Sequence, residues 1–459
     1  MHYRLRTVDE QIVGCLATAL RVRPATARCL AVRGVSDPRD AQGFIDPRLA
    51  ALRPPTGLAG LARAVERIAD AVQHGERIGV FGDYDVDGVT TAALLTSFLR
   101  ASGATVEVAV ARRDAGYGFT PGAAEELVAR GCQLIITGDC GTSDLASIAV
   151  AAALGVPVIV VDHHTVPSAD TPHPALALVN PHRADSTFPF RGMASVGLAF
   201  YVAAAVRTEL RDRGHFRNRR EPDVRELLDL VALGTVADLV PLTAENRILT
   251  ALGLRRLQRS EPGGIRPGIA ALLAAAGVDP EREVDARTIA WKLAPRINAP
   301  GRLGAAEPSL ALLLADSATA AARAQVLEAA NAERRTIQDR VMTEALDQLD
   351  ARSIDTSGAA IVVAGVGWSS GVVGIVAAKL VDKYQRPAFV IGIDPETGLG
   401  RGSARTSGGV DLYRALADAW RDCSAGATPE WRFGGHAAAA GFTIGRDAIA
   451  GLADALGSS

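Results

Sequence analysis

Between Arg77 and Val161 short unbroken apolar runs alternate with stretches whose apolar residues recur at helical spacing. Residues 78–81, 105–110, 134–137 and 156–161 read as strands, and residues 89–99, 122–129 and 145–153 as helices. Strands separated by helices of about ten residues are joined as parallel crossovers, covered on both faces. The expected fold is α/β, with a parallel sheet whose ligands sit beyond the carboxyl ends of the strands. Upstream, residues 1–74 read as an Ala/Arg-rich helical segment broken at Pro47, Pro54 and Pro55. Residues 193–260 look helical, with Val231–Ala237 leading into Asp238. Residues 318–349 contain neither Pro nor Gly and spell one long helix. After Thr356-Ser357-Gly358 a second α/β unit begins, with strand 360–364, helix 372–381 and strand 388–393. The glycine-rich segments Gly398–Gly409 and Phe433–Gly441 that follow read as loops. The expected division is 1–74, an N-terminal helical segment; 75–317, a metal domain; 318–355, a connecting helix; and 356–459, a smaller α/β domain.

Polar residues at the ends of these runs add chemistry. The first strand runs into Gly82-Asp83-Tyr84-Asp85-Val86-Asp87-Gly88, the third ends near Asp139, and the fourth delivers Asp162-His163-His164. Carboxylates this close repel one another unless a cation neutralises them. An EF-hand loop is disfavoured, because the position of its bidentate Glu is Leu94 and a strand precedes it. Imidazole with carboxylate suits Mn²⁺ and related ions better than Mg²⁺ or Ca²⁺ alone. Taken singly, Asp162 also suits a helix N-cap, and Asp238 also suits a helix end. Arg296 to Arg302 carries two cations and a turn, which reads either as a surface loop or as a phosphate clamp. Gly402-Ser403-Ala404-Arg405-Thr406 and Gly434-Gly435-His436 offer the same anion-binding logic. Trp368, Trp431 and Phe433 could stack bases, but core is the better reading for each. No G-x-G-x-x-G follows the first strand.

Composition narrows the class. A chain of 459 residues, 48% apolar and 22% charged, holds two or three globular domains. The net charge of −2 excludes a uniformly basic coat and leaves room for a local basic groove. Five cysteines without a C-x-x-C pair fit a reducing compartment. The N-terminus lacks a signal-peptide pattern, and no apolar stretch approaches the roughly 18 residues of a membrane span. A cytoplasmic location is expected.

In one order across residues 82–441 stand GDYDVDGVT, ITGDCGTS, VVDHH, LGTVADLVPL, PRINAPGRLG, GVVGIVA, GSART and FGGHAAAAG. Together they resemble the DHH phosphoesterase superfamily with a DHHA1-type C-terminal domain, and within it the RecJ single-stranded-DNA exonucleases. The segment LAVRGVSDPRDAQGFIDPRL is also similar to the stretch preceding their catalytic domain. The resemblance implies two lobes joined by the long helix around a cleft, and two Mn²⁺ or Mg²⁺ ions. Asp83 and Asp85 would bind separate ions, Asp139 would lie between them, and His163 and Asp238 would bind the second. Asp87 would support the cluster and His164 would lie near the scissile phosphate, so His164, Asp139 and Asp87 form the catalytic set. Arg113, Arg296, Arg302, Ser403, Arg405 and His436 would hold phosphates, including a 5′ terminus. The implied activity is 5′-to-3′ hydrolysis of single-stranded DNA to 5′-mononucleotides in repair and recombination. Single-strand-binding protein and a helicase are the implied partners, and a monomer is the expected state. Degradation of short oligonucleotides or small phosphate esters, and a non-catalytic nucleic-acid scaffold, are the alternatives. Three features depart from the family pattern. Ser369 rather than His follows Trp368, and Ala115 replaces the Glu before Gly116-Tyr117-Gly118. No OB-fold follows, from which weak affinity and low processivity are expected.

Overall fold

Arg77–Gly82 (β1), Thr105–Val110 (β2), Leu134–Gly138 (β3), Val158–Val161 (β4) and Ala177–Val179 (β5) form a parallel sheet in the order β2-β1-β3-β4-β5. Every residue of β3, β4 and β5 is buried, which is why their sequences are apolar without alternation. The computed structural model describes residues 6–113, 116, 118–167, 172–258, 264–279, 281–351, 359–423 and 431–457. Ala115, Tyr117 and the Thr356–Gly358 junction lie outside the described residues.

The helices up to this sheet's last strand are α1 (Glu10–Leu20), α2 (Pro24–Ala31), α3 (Pro38–Ile45), α4 (Leu61–His74), α5 (Val86–Ala101), α6 (Pro121–Ala129) and α7 (Leu145–Ala153). The first three share a small core of their own around Leu16, Ala27 and Leu30. The stretch read as helical over 193–260 holds three α-helices among its described residues: α8 (Ser195–Asp212), α9 (Leu228–Ala237) and α10 (Ala244–Arg256). α8 ends two residues before Gly214, whose φ is 76°, and α9 ends shortly before Pro241, which cannot continue a helix. Then come α11 (Pro267–Ala275), α12 (Ala286–Thr288), a π-helix over Ile289–Leu293, α13 (Ala294–Leu303), α14 (Glu307–Leu313) and α15 (Ala320–Ala351). The stretch Arg296 to Arg302, read as a turn, is thus helix α13, with Pro300 inside it. Ala294, Ile297 and Ala299 are buried there, and that packing overrides the cost of the proline.

The chain divides into two units, residues 1–298 with 306–325, and residues 299–305 with 326–459. The second holds Ile361–Val366 (β6), α16 (Ser370–Tyr384), Ala388–Ile393 (β7), Leu399–Arg405 (β8), α17 (Leu412–Cys423), Arg432–His436 (β9), Ala439–Gly445 (β10) and α18 (Ile449–Gly457). Its sheet order is β6-β7-β8-β10-β9, parallel at β6–β7 and antiparallel elsewhere. The glycine-rich segments read as loops are therefore largely strands. Their glycines make room: a Cβ on Gly402 would lie 2.1 Å from the Phe442 ring. Hydrogen bonds to two neighbouring strands for β8 and β10, and to β10 for the edge strand β9, outweigh the low strand propensity of glycine. Trp368 is buried in this unit's core, as core rather than a stacking platform, and Ser369 caps α16 by accepting from Gly371 N.

Candidate metal centre and phosphate-binding residues

β1 delivers Asp83 into a turn that becomes α5 within three residues. The first turn of α5 then packs so closely on the Asp83 backbone that it requires glycine, since a Cβ on Gly88 would lie 2.5 Å from Asp83 N. Asp85 caps α5, accepting from Gly88 N at 3.1 Å. Asp87 accepts at both oxygens from the start of α8, from Ser195 N at 2.7 Å and Val196 N at 3.0 Å. It is thereby held against the positive end of that helix.

β3 ends in Asp139, whose φ of 62° lies in the left-handed region. That conformation costs an ordinary L-residue about 1–2 kcal/mol, and such strain is characteristic of functional positions. The Asp139 N–H bonds to Val161 O at 3.0 Å, and its Oδ1 accepts from Ser195 Oγ at 3.0 Å. β4 ends at Asp162, which is not an N-cap: a loop follows it. One of its oxygens accepts from His164 N at 3.1 Å and from His164 Nδ1 at 2.7 Å, the other from Thr142 N at 3.0 Å. Asn180 Nδ2 donates to Thr142 Oγ1 and to His164 O, fixing the same loop. α9 ends on Asp238, followed by Leu239 at φ 61°. His163 Nε2 lies 3.4 Å from Asp139 Oδ1 and 3.6 Å from Asp238 Oδ2.

The five expected ligands thus converge. Asp83, Asp85 and Asp139 form one group, Asp87, His163 and Asp238 a second, and Asp139, His163 and His164 a third, each with ligand atoms within 4.8 Å of one another. Asp139 and His163 each belong to two groups, as sharing between adjacent ions requires. Asp83 Oδ1 and Asp238 Oδ2 are buried with no hydrogen-bond partner among the described residues. Leaving such oxygens unsatisfied costs about 1–3 kcal/mol each, more when they are charged. A divalent cation taking oxygen and imidazole nitrogen fits this donor set.

Electrostatics separate the residues by role. Burial, then the Asp85 charge, pushes the Asp83 carboxyl up to about 8. Burial and Asp85 likewise raise Asp238 to about 7. Burial, then Asp238, drives Asp87 well up, and burial, then Asp87, does the same to Asp139. Such a set ionises together only if positive charge is supplied. Burial also pulls His163 down to about 4, helped by the His164 charge, so His163 is the neutral imidazole a metal needs. Burial acts the same way on His164, but the Asp162 hydrogen bond and charge outweigh it and raise His164 to about 9. Asp162 is itself opposed by burial, yet bonds from His164 and Thr142 hold it well below the usual carboxylate range. The two adjacent histidines are therefore pushed in different directions, His163 towards the neutral imidazole and His164 towards the imidazolium.

The phosphate candidates divide between the two units. In the first, Arg113 stacks over the ring of Tyr84, 4.2 Å from its centroid, beside the aspartate turn. Arg296 is buried and donates Nη1 to Lys292 O at 2.7 Å. In the second, Arg302 donates to Gly371 O at 3.1 Å, and Arg405 Nη1 to Ser403 Oγ at 2.8 Å. A Cβ on Gly374 would lie 3.0 Å from both Arg405 Nη2 and Ser403 Oγ. Arg302, Ser403 and Arg405 thus gather along the first turns of α16. Burial pulls the Arg405 guanidinium down, and no carboxylate pairs with it among the described residues. His436 is exposed on β9, in the cross-strand row of Arg405 through Ala439. Ser195, Thr142 and Asn180 were missed as site residues, and Asp162, placed at the site by its strand end, was given no role of its own. Only the strand-end position of Asp162 and the helix-start position of Ser195 signal them.

Residues 77–235 match the model of the DHH family, N-terminal domain, and residues 357–458 that of the DHHA1 domain. The single-stranded-DNA-specific exonuclease RecJ of Bacillus subtilis (strain 168) is 37% identical over 99% of this chain, which spans 55% of that relative's length. The Escherichia coli (strain K12) protein of the same name is 40% identical over 92% of this chain and 72% of its own length. The crystal structure of RecJ in complex with Mn²⁺ from Thermus thermophilus superposes with a TM-score of 0.81 at 31% identity, covering 99% of this chain and 61% of that one. Among the described residues no helix is long and apolar enough to cross a membrane. With both domain models in sequence, and at this identity over this coverage, the chain belongs to the RecJ family of DHH–DHHA1 proteins.

Proposed function

We propose that this protein is a divalent-metal-dependent exonuclease that shortens single-stranded DNA from its 5′ end and releases 5′-mononucleotides. The observation that carries the reading is the cluster of Asp83, Asp85, Asp139, His163 and Asp238, with buried carboxylate oxygens that no donor satisfies among the described residues. These five residues would hold two ions. Bound there, Mn²⁺ or Mg²⁺ would lower the pKa of a water and offset charge on the phosphoryl oxygens.

The chain's own residues do the rest. Asp162 keeps the His164 ring oriented and protonated through Nδ1, so its other N–H can donate to a phosphoryl oxygen as negative charge builds there. Asp87, fixed by two amide donors, and Ser195, donating to Asp139, hold the ligand oxygens in place. In the second unit Ser403, Arg405 and His436, with Arg302, would take backbone phosphates, and in the first Arg113 and Arg296 are proposed for the same role. A cytoplasmic location and work beside a helicase and single-strand-binding protein belong to the same proposal.

Digestion of 5′- and 3′-labelled 40-mers with Mn²⁺ tests it. Mononucleotides released first from the 5′ label are expected. Release from the 3′ end, or a steep preference for a dinucleotide over the 40-mer, overturns the reading.

A further inference from the structure

We propose that the open face of the second sheet carries an additional phosphate position, one cross-strand row beyond Ser403 and two beyond Arg405 and His436, formed by Arg401 and Arg432 flanking Thr443. The inference rests on the phosphate reading above and extends it to an extended single strand lying across β8, β10 and β9.

Cross-strand register sets the geometry. Arg405, Ala439 and His436 form one row, Ser403, Gly441 and Gly434 the next, and Arg401, Thr443 and Arg432 a third. Residues opposite one another across strands share a face, as do residues two apart along a strand. Successive rows are therefore about 6.7 Å apart, a step that suits consecutive phosphates of an extended strand. Arg401 and Arg432 stand two strands apart, about 9–10 Å, so two long side chains can close on one anion between them.

Two observations point to a ligand there. The first concerns the glycines of the middle row. A Cβ on Gly434 or Gly441 would meet nothing within 4 Å, and neither residue has positive φ. The fold itself does not need glycine at either position, and glycine inside a strand weakens it. What the missing side chains permit is close approach of another backbone to an exposed, flat trough. The second is charge. β8, β9 and β10 carry Arg401, Arg405, Arg432 and His436 and no Asp or Glu. Arg401 and Arg432 are exposed, and neither forms a hydrogen bond or ion pair among the described residues, although Asp394 lies near enough to feel the Arg401 charge.

The test is anisotropy of a fluorescein-labelled, hydrolysis-resistant phosphorothioate dT20 on the full chain with Mn²⁺ across a salt series. Each phosphate contact to a single strand contributes about 0.7 to the slope of log affinity against log salt. The Arg401→Gln/Arg432→Gln double variant should lose the one contact, about 0.7 of that slope, or about 5-fold in affinity at 0.1 M salt if affinities converge at 1 M. The corresponding Arg→Lys pair should keep the slope. Gly441→Val should weaken binding with thermal stability unchanged or raised. A Gln pair that binds with the wild-type slope sinks the additional position while leaving the exonuclease reading standing. Wild-type protein that shows no salt-dependent binding sinks both.

Discussion

Asp162→Asn should cost activity in proportion to pH. The carboxylate accepts two bonds from His164 on one oxygen and one from Thr142 N on the other. Asn offers a single acceptor oxygen, so either orientation sets an NH₂ against an N–H. One buried bond to a charged group is lost, about 1.5–3 kcal/mol. The larger effect falls on His164, whose pKa drops from about 9 toward the ordinary value of about 6.5. At pH 8 its protonated fraction falls from about 0.9 to about 0.03, roughly thirtyfold, whereas at pH 6 the change is under about twofold. The measurement is kcat/KM on 5′-labelled dT20 at saturating Mn²⁺, taken as the wild-type to variant ratio from pH 6 to pH 8. Ionisation of a metal-bound water is common to both proteins and cancels in that ratio. A ratio flat with pH, or wild-type activity at pH 8, refutes the assignment of His164 as a protonated donor held by Asp162.

Three further outcomes are expected. Metal-free protein should lose stability as pH rises. Asp83 and Asp238 titrate at about 8 and about 7 when folded, against about 3.9 unfolded, so the folded state holds the extra protons and their contribution fades as pH climbs through those values. Calorimetry should then show a larger Mn²⁺-induced rise in Tm at pH 8 than at pH 5.5, and equal rises would count against it. Asp139→Ala should abolish turnover while sparing the fold, and Asp139→Asn should do the same with roughly 1 kcal/mol less destabilisation, because Asn tolerates the left-handed backbone. Retained turnover with added Mn²⁺ contradicts the ligand assignment, and urea unfolding checks the stability difference. Ser195→Ala, which removes the donor to Asp139 Oδ1, should weaken Mn²⁺ binding about 10–100-fold by titration calorimetry. Unchanged affinity would reduce Ser195 to a packing role.

The sequence by itself determined four of the five strands of the first sheet, missing the three-residue β5, and most of the acidic and imidazole side chains that gather at its edge. A strand buried on both faces must be an unbroken apolar run, so β1, β3 and β4 are visible, and Asp83, Asp139 and His163 follow at or just beyond their carboxyl ends. The long helix α15 was equally plain, since nothing in residues 318–349 can stop a helix. Tertiary structure alone decided the rest. β8, β9 and β10 look like loops because glycine disfavours strands locally, and only their pairing partners and Phe442 reverse that preference. α13 forms through Pro300 because its apolar side is buried. The division of labour at Asp162-His163-His164 was invisible in the string, since three neighbours on one loop meet three different environments. His163 is desolvated beside Asp139 and Asp238, while His164 is charged by Asp162, which Thr142 in turn anchors. Ser195 reaches Asp139 from 56 positions away. Local sequence sets backbone preference and the placement of ligands, but charge state and hydrogen-bond partnership depend on desolvation and distance, which exist only once the chain has folded.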